Sequence, residues 1–340
     1  MATDRSLDVL RVIVQDYVAS REPVGSKSIV ERHAFGVSAA TIRNDMALLE
    51  EEELITAPHT SSGRIPTDKG YRVFVNQLAD LRPLTVAQRQ AIETFLGHAT
   101  DLDEVLTRTV RLLSQLTHQV ALVQYPSLGR SRIRHIELVP LSSLRLMIVL
   151  ITDTGRVEQR HIDVREPLEE EILGEVRAKL NAALGGLGLA EAATALDGLV
   201  ETFHPNRHDF VVSVVDSIRE QLAAGRGEKL LMAGAANLAL TAEDFGGSIY
   251  PVLEAIEEQV TLLKLFAEME PDQHGLATSI GSENAAFGLG ETSVLASGYT
   301  LGGGDFARVG VLGPTRMDYP NNMAAVRAVA RYLSRLLGEE

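Results

Sequence analysis

A chain of 340 residues with 45% apolar and 23% charged side chains has enough apolar material for two or three ordinary cores, which excludes a disordered polymer. Its 32 Lys and Arg against 46 Asp and Glu leave a formal charge of −14, so a diffuse polybasic nucleic-acid or membrane binder is disfavoured and any DNA contact must be local. The absence of cysteine removes disulfide scaffolds, Cys-ligated zinc, iron–sulfur clusters and thiol nucleophiles together.

In chain order, Leu7, Leu10, Ile13, Val14 and Tyr17 recur at helical spacing and predict a first helix ending near Ser20, ahead of Glu22-Pro23-Val24-Gly25. Residues 1–8 hold no apolar signal core. A short second helix is expected from a Ser26 cap, with Ile29 and Val30 facing inward, until Phe35-Gly36-Val37 breaks it. Ser38 then caps a third helix whose inner face carries Ala39, Ile42, Met46 and Leu49, leaving Ala40, Thr41, Arg43 and Asn44 lateral or outward. Two short strands around Leu54-Ile55-Thr56 and Arg64-Ile65 enclose a polar loop, so three helices and a hairpin predict a winged helix-turn-helix. A helix resumes over 67–81, and Thr85-x-x-Gln88 opens another with capping-box spacing.

Beyond residue 100, a helix through Leu112, Leu113 and Leu116 leads to strands near 133–138, 144–152 and 157–164, the last two joined by an Asp153-Thr154-Gly155 turn. The longest conspicuous apolar stretch, 144–151, is far short of the ~20 residues of a spanning helix, so a soluble, cytoplasmic protein with no membrane partner is expected. Residues 168–270 read as helical and Ala/Leu-rich, with only 229–234 strand-like. Strands return at 276–280, 293–300 and 306–312, and an amphipathic helix over 323–337 follows. Strands split around a helical block predict an α+β, multidomain chain in which one antiparallel sheet domain is interrupted by an insertion.

The outward Arg43 and Asn44 suit DNA reading, since Arg can bind guanine O6 and N7 and Asn adenine N6 and N7; the bland alternative is an ordinary surface pair. His59, Thr60, Ser61 and Arg64 bring ring, hydroxyls, backbone N–H groups and a fixed cation to the hairpin tip, as phosphates or a narrow minor groove require. A solvated tip would look similar apart from Arg64. Residues 1–72 carry nine Lys and Arg against eleven Asp and Glu, so −2 of the −14 lies here and −12 in the other 268 residues. The run Glu50 to Glu53 sits at the unfavourable end of the helix dipole and must face away from phosphates.

Catalytic patterns are absent from the sequence: nine histidines are scattered, and His204 and His208 are separated by Pro205 and Asn206, which favour a loop over a metal-binding helix. Gly302-Gly303-Gly304 lacks the Lys-Ser/Thr of a phosphate loop and reads as a turn. No enzyme, cofactor or metal is expected. The apolar stripe Leu253, Ile256, Val260, Leu263 and Leu265 fits either core or a subunit interface.

Several segments resemble the HrcA family of heat-inducible transcription repressors. They are Pro23-Val24-Gly25-Ser26-Lys27, Ala40-Thr41-Ile42-Arg43-Asn44, the run from Pro58 through Gly63-Arg64-Ile65-Pro66 to Arg72, and Gly310-Val311-Leu312-Gly313-Pro314-Thr315-Arg316-Met317-Asp318-Tyr319. The resemblance implies a winged helix-turn-helix DNA-binding domain over 1–82, a discontinuous GAF-like domain over 83–167 and 273–340, and an inserted dimerisation domain over 168–272. The DNA-binding set it carries is Ser38, Ala40, Thr41, Arg43, Asn44, His59, Thr60, Ser61 and Arg64. It further implies a homodimer on an inverted-repeat operator of double-stranded DNA, repression of chaperone operons released on heat stress, and the chaperonin GroEL as the partner that maintains activity. Glu53 stands where relatives often have the glycine that ends the third helix, and 168–270 carries few family signatures. Two other readings are a metabolite-responsive winged-helix regulator with a small-molecule sensor sheet, and a hydrolase with an accessory DNA domain, for which a nucleophile and base constellation is missing.

Overall fold

The computed structural model describes residues 4–59, 62–77, 85–96, 101–126, 131–153, 155, 157–167, 169–225, 229–245, 247, 249–300 and 306–338. It is a mixed α+β structure. The N-terminal unit comprises α1 (Asp4–Ser20), α2 (Ser26–Arg32), α3 (Ala39–Glu51), β1 (Ile55–Thr56), β2 (Ile65–Pro66) and α4 (Asp68–Gln77). Val9, Leu10 and Ile13 of α1, Ile29 of α2 and Ile42, Met46 and Leu49 of α3 are buried together, as the helical spacing of these apolar residues requires. At α2 the cap is Gly25, not Ser26: Ser28 Oγ accepts from the Gly25 amide at 3.2 Å, so the serine that closes the first turn lies two residues further on.

The chain continues through α5 (Val86–Leu96), opened by the reciprocal Thr85 and Gln88 bonds, and α6 (Leu102–Thr117). Next come β3 (Val120–Gln124), β4 (Ile133–Ser142), β5 (Arg145–Thr152) and β6 (Val157–Asp163). The helices α7 (Glu170–Leu184), α8 (Leu189–Ala195) and α9 (His208–Gly225) lead to β7 (Leu230–Ala233), and α10 (Ala235–Leu240), α11 (Tyr250–Glu258) and α12 (Val260–Glu268) follow it. The strands β8 (Leu276–Ile280), β9 (Thr292–Thr300) and β10 (Phe306–Pro314) then precede α13 (Tyr319–Gly338).

Five strands form an antiparallel sheet in the order β7-β3-β10-β9-β8. One face, with Val123, Leu295, Val309 and Val311, packs in the core that also holds α6, α13 and the N-terminal unit. The other, with Leu122, Val294, Ala296 and Leu312, packs under α11 and α12. The meander β4-β5-β6 is a separate three-stranded sheet whose inner residues Ile136, Leu146, Ile148 and Leu150 share a core with α7, α8 and α9.

This pairing corrects the expected partition at 168 and 272. The strand-like segment 230–233 leaves the helical block and pairs with β3, with Leu122 opposite Met232, while the meander leaves the large sheet and joins the helices after it. The physical reason is the core each strand completes: the alternate residues of β5 bury against α7 and α9, and β7 extends the β3 edge. The segment 131–225 is therefore the self-contained interruption, and β7 to β10 are all members of the interrupted sheet. The 253–265 stripe also divides. Gln259 at φ +56° breaks it between α11 and α12, burying Leu265 and leaving Val260 55% exposed. Among the described residues no helix is long and apolar enough to cross a membrane.

Candidate nucleic-acid interface

Ser38 caps α3 from an extended backbone, its Oγ accepting from the Thr41 amide at 3.2 Å and lying 3.0 Å from Thr41 Oγ1. With the start of the helix fixed, its rotation is set by the buried Ile42, Met46 and Leu49 and by a buried charge, Asp45. Arg5 of α1 donates to both Asp45 oxygens, at 2.8 and 3.1 Å, and this carboxylate hydrogen bond pushes the Arg5 guanidinium further toward its charged form. The outcome is that Ala40, Arg43 and Asn44 are exposed on the opposite face, beside Ser38, and Thr41 is half-buried in the cap. Arg43 and Asn44 are adjacent and engage no protein partner among the described residues.

The end of α3 is built around an unusual residue. Glu53 adopts φ +60°, its amide donates to the Glu50 carbonyl at 3.0 Å, and the Leu54 amide reaches back to the Leu49 carbonyl at 2.8 Å. These two bonds form a Schellman closure with glutamate where glycine is usual. Thr67 Oγ1 donates to the Glu53 carbonyl at 2.6 Å, so α4 braces the turn.

The hairpin is docked on the α1–α2 turn by paired backbone bonds between Val24 and Arg64, at 2.9 and 2.8 Å. Gly63 makes the approach possible, since a Cβ there would lie 2.6 Å from the Pro23 carbonyl group. His59 is exposed, and its carbonyl and amide both bond the Ser62 hydroxyl. Thr60 and Ser61 lie outside the described residues. Arg64, the cation expected at the tip, is paired within the protein: its Nε and Nη2 donate to Glu50 Oε2 at 3.0 and 2.9 Å. Its guanidinium neutralises the first carboxylate of the acidic run and ties the hairpin to α3, and Lys69 stands 3.8 Å from Glu53 in the same way.

Sequence reasoning therefore finds the outward residues but misses Arg5, Asp45 and Glu50, the charges that orient them. The signal for Asp45 is present in retrospect, because it lies between Ile42 and Leu49 on the inner face, where a carboxylate demands a partner. Elsewhere, His204 Nδ1 sits 2.7 Å from Asn206 Oδ1 and His208 Nε2 lies 3.0 Å from the Phe203 carbonyl.

Residues 103–323 match the family described as HrcA protein C terminal domain. The heat-inducible transcription repressor HrcA of Clavibacter michiganensis subsp. michiganensis is 68% identical over 339 residues, covering 100% of both chains. This chain belongs to the HrcA family. The HrcA repressors of Leifsonia xyli subsp. xyli and Streptomyces avermitilis are 66% and 53% identical, again over 100% of both chains. A crystal structure of a hypothetical protein shares the fold at a TM-score of 0.69, with 28% identity over 99% of each chain. The chain is thus a heat-inducible transcription repressor, and its HrcA relatives do not favour the metabolite-responsive alternative.

Proposed function

We propose that the N-terminal unit is a winged helix-turn-helix that reads an inverted-repeat operator ahead of chaperone genes, with α3 in the major groove and the 59–64 hairpin against the flanking backbone. The observation that carries this reading is the exposed Arg43 and Asn44, unpaired among the described residues, on a helix whose rotation is locked from behind by Ile42, Asp45 and Leu49. Ser38, Ala40 and Thr41 line the entry of that helix, and His59 with its neighbours Thr60 and Ser61 supplies the hairpin contact. Arg64 acts by holding the hairpin through Glu50. Titration of the operator and of a scrambled duplex tests the assignment. A preference for the operator that disappears in Arg43→Ala supports it, and equal loss on both duplexes overturns it.

The repressor works as a homodimer in this reading, each copy reading one half-site. The interrupting segment 131–225 supports a dimer: β5 is apolar on both faces, yet its helices cover only Leu146, Ile148 and Leu150. Met147, Val149 and Ile151 line the outer face with Val139 and Val157, the last 49% exposed, and a second copy of the same sheet would cover that stripe. The five-stranded sheet with α5, α6 and α13 corresponds to the GAF-like domain that the resemblance implies. Heat shifts the dimer from its DNA-competent form, and chaperonin GroEL, when free of other clients, restores the active pool in the cytoplasm.

A further inference from the structure

Where β8 begins, the sheet leaves a cavity of about 280 Å³ with a wall unlike the rest of this acidic chain. Arg308 of β10 and Arg327 and Arg331 of α13 line it, His274 stands at its side, and no Asp or Glu among the described residues contributes to its lining. Arg327 and Arg331 are one helical turn apart and so project from one face of α13. Arg308 is already anchored, donating to the Phe266 carbonyl. Arg327 is not: its Nε is buried without a hydrogen-bond partner, and neither Arg327 nor Arg331 has an ion-pair partner among the described residues. A buried guanidinium N–H with no acceptor is a cost that folding alone does not explain, whereas an acceptor brought in by a ligand removes it.

The opposite wall is apolar. Phe306, 53% exposed, lies over Gly298, where a Cβ would come within 2.1 Å of the ring. Glycine at that β9 position keeps a flat aromatic surface beside the three arginines, with Ala277 and Ala296 behind it.

We propose that this cavity binds a small phosphate monoester, its dianionic head among Arg308, Arg327 and Arg331 and its compact, flat body against Phe306. Guanidinium forks match phosphate oxygens in pairs, and three fixed cations suit a dianion better than a single carboxylate. The volume lies just below the usual range of ligand sites, roughly 300–1,000 Å³, so the body is no larger than one ring. A neighbouring cavity of about 520 Å³ shares Pro271 and His274 with this one and reaches Arg72 and Asn76 of α4, so the occupied site would adjoin the DNA-reading unit. The site adds a chemical input to the heat response and does not replace it.

Calorimetric titration of the full-length, DNA-free protein with phenyl phosphate tests the site, with inorganic phosphate and benzoate as separate probes of head and body. Phenyl phosphate should bind saturably at one site per chain and more tightly than either probe. Arg331→Gln, at an exposed position that leaves the fold intact, should weaken it by about 10-fold, Arg327→Gln likewise, and Arg331→Lys by less. Absence of saturable binding, unchanged affinity in Arg331→Gln, or benzoate binding as tightly as phenyl phosphate would overturn the proposal. So would displacement of phenyl phosphate by a short duplex of scrambled sequence, which would reassign the arginines to the DNA backbone.

Discussion

Arg43 has no acceptor among the described residues, and an unoccupied guanidinium is what bidentate recognition of guanine requires. Arg43→Ala should cost about 1–3 kcal/mol on the operator and much less on a scrambled duplex, read as the ratio of the two affinities by fluorescence anisotropy. Arg64 differs because its fork is filled by Glu50. Arg64→Ala should lower stability by no more than about 1 kcal/mol, since the pair is partly exposed, and should weaken both duplexes together by loosening the hairpin. A third residue is suboptimal for stability. Glu53 holds a left-handed backbone, so Glu53→Gly should raise the urea midpoint by the equivalent of about 1 kcal/mol without moving operator affinity. The outward residues of α3 are legible in the sequence because helical periodicity separates inside from outside. Their orienting partners are not, because Arg5 and Asp45 are 40 positions apart and meet only in the folded unit.

At the scale of elements, the N-terminal unit is bolted to the sheet by charges from the C-terminal family motif. Arg316 donates to both oxygens of Asp244, at 2.8 and 2.7 Å, and to the Val18 carbonyl at the end of α1, at 2.9 Å. Arg72 of α4 pairs with Glu283 and reaches the Thr278 carbonyl, while Asp68 accepts from the Ser282 amide at 2.8 Å. Arg316 and Asp244 are 10% and 7% exposed, so Arg316→Met leaves a carboxylate short of its main partner and should destabilise the protein by about 3 kcal/mol in urea titration. A near-neutral effect would mean that Arg21, 3.2 Å from Asp244, suffices alone. Element by element, most helices and strands are readable from periodicity, and β3 is the omission. It follows α6 after only His118, in the left-handed region at φ +54°, and Gln119, with no glycine or proline to mark the break. Which sheet a strand joins is equally hidden, because β7 pairs with β3 across more than 100 residues of chain and the meander is assigned by a core that reaches from Ile133 to Leu222.

For the whole molecule, the proposed homodimer would keep two reading heads in register, and the outer face of β4-β5-β6 is the surface proposed for that. Val149→Asp places a charge in the middle of the apolar stripe without touching the helix-covered face, and should yield a monomer by light scattering with much weaker operator binding. A dimer unaffected by that change would move the interface elsewhere. The proposed heat response needs no ligand: on this proposal a marginally stable DNA-competent dimer loses occupancy on warming, and a chaperonin that refolds the inactive pool restores it. Added GroEL with ATP should raise the operator-bound fraction of heated repressor in a gel shift without appearing in the final DNA complex.

The most direct measurement is footprinting of the full-length protein on the DNA upstream of its host's chaperone genes, at growth temperature and after a shift into the heat-shock range. The account predicts a protected inverted repeat at growth temperature that fades on heating. An unprotected upstream region, or a footprint that persists unchanged through the heat-shock range, would contradict it.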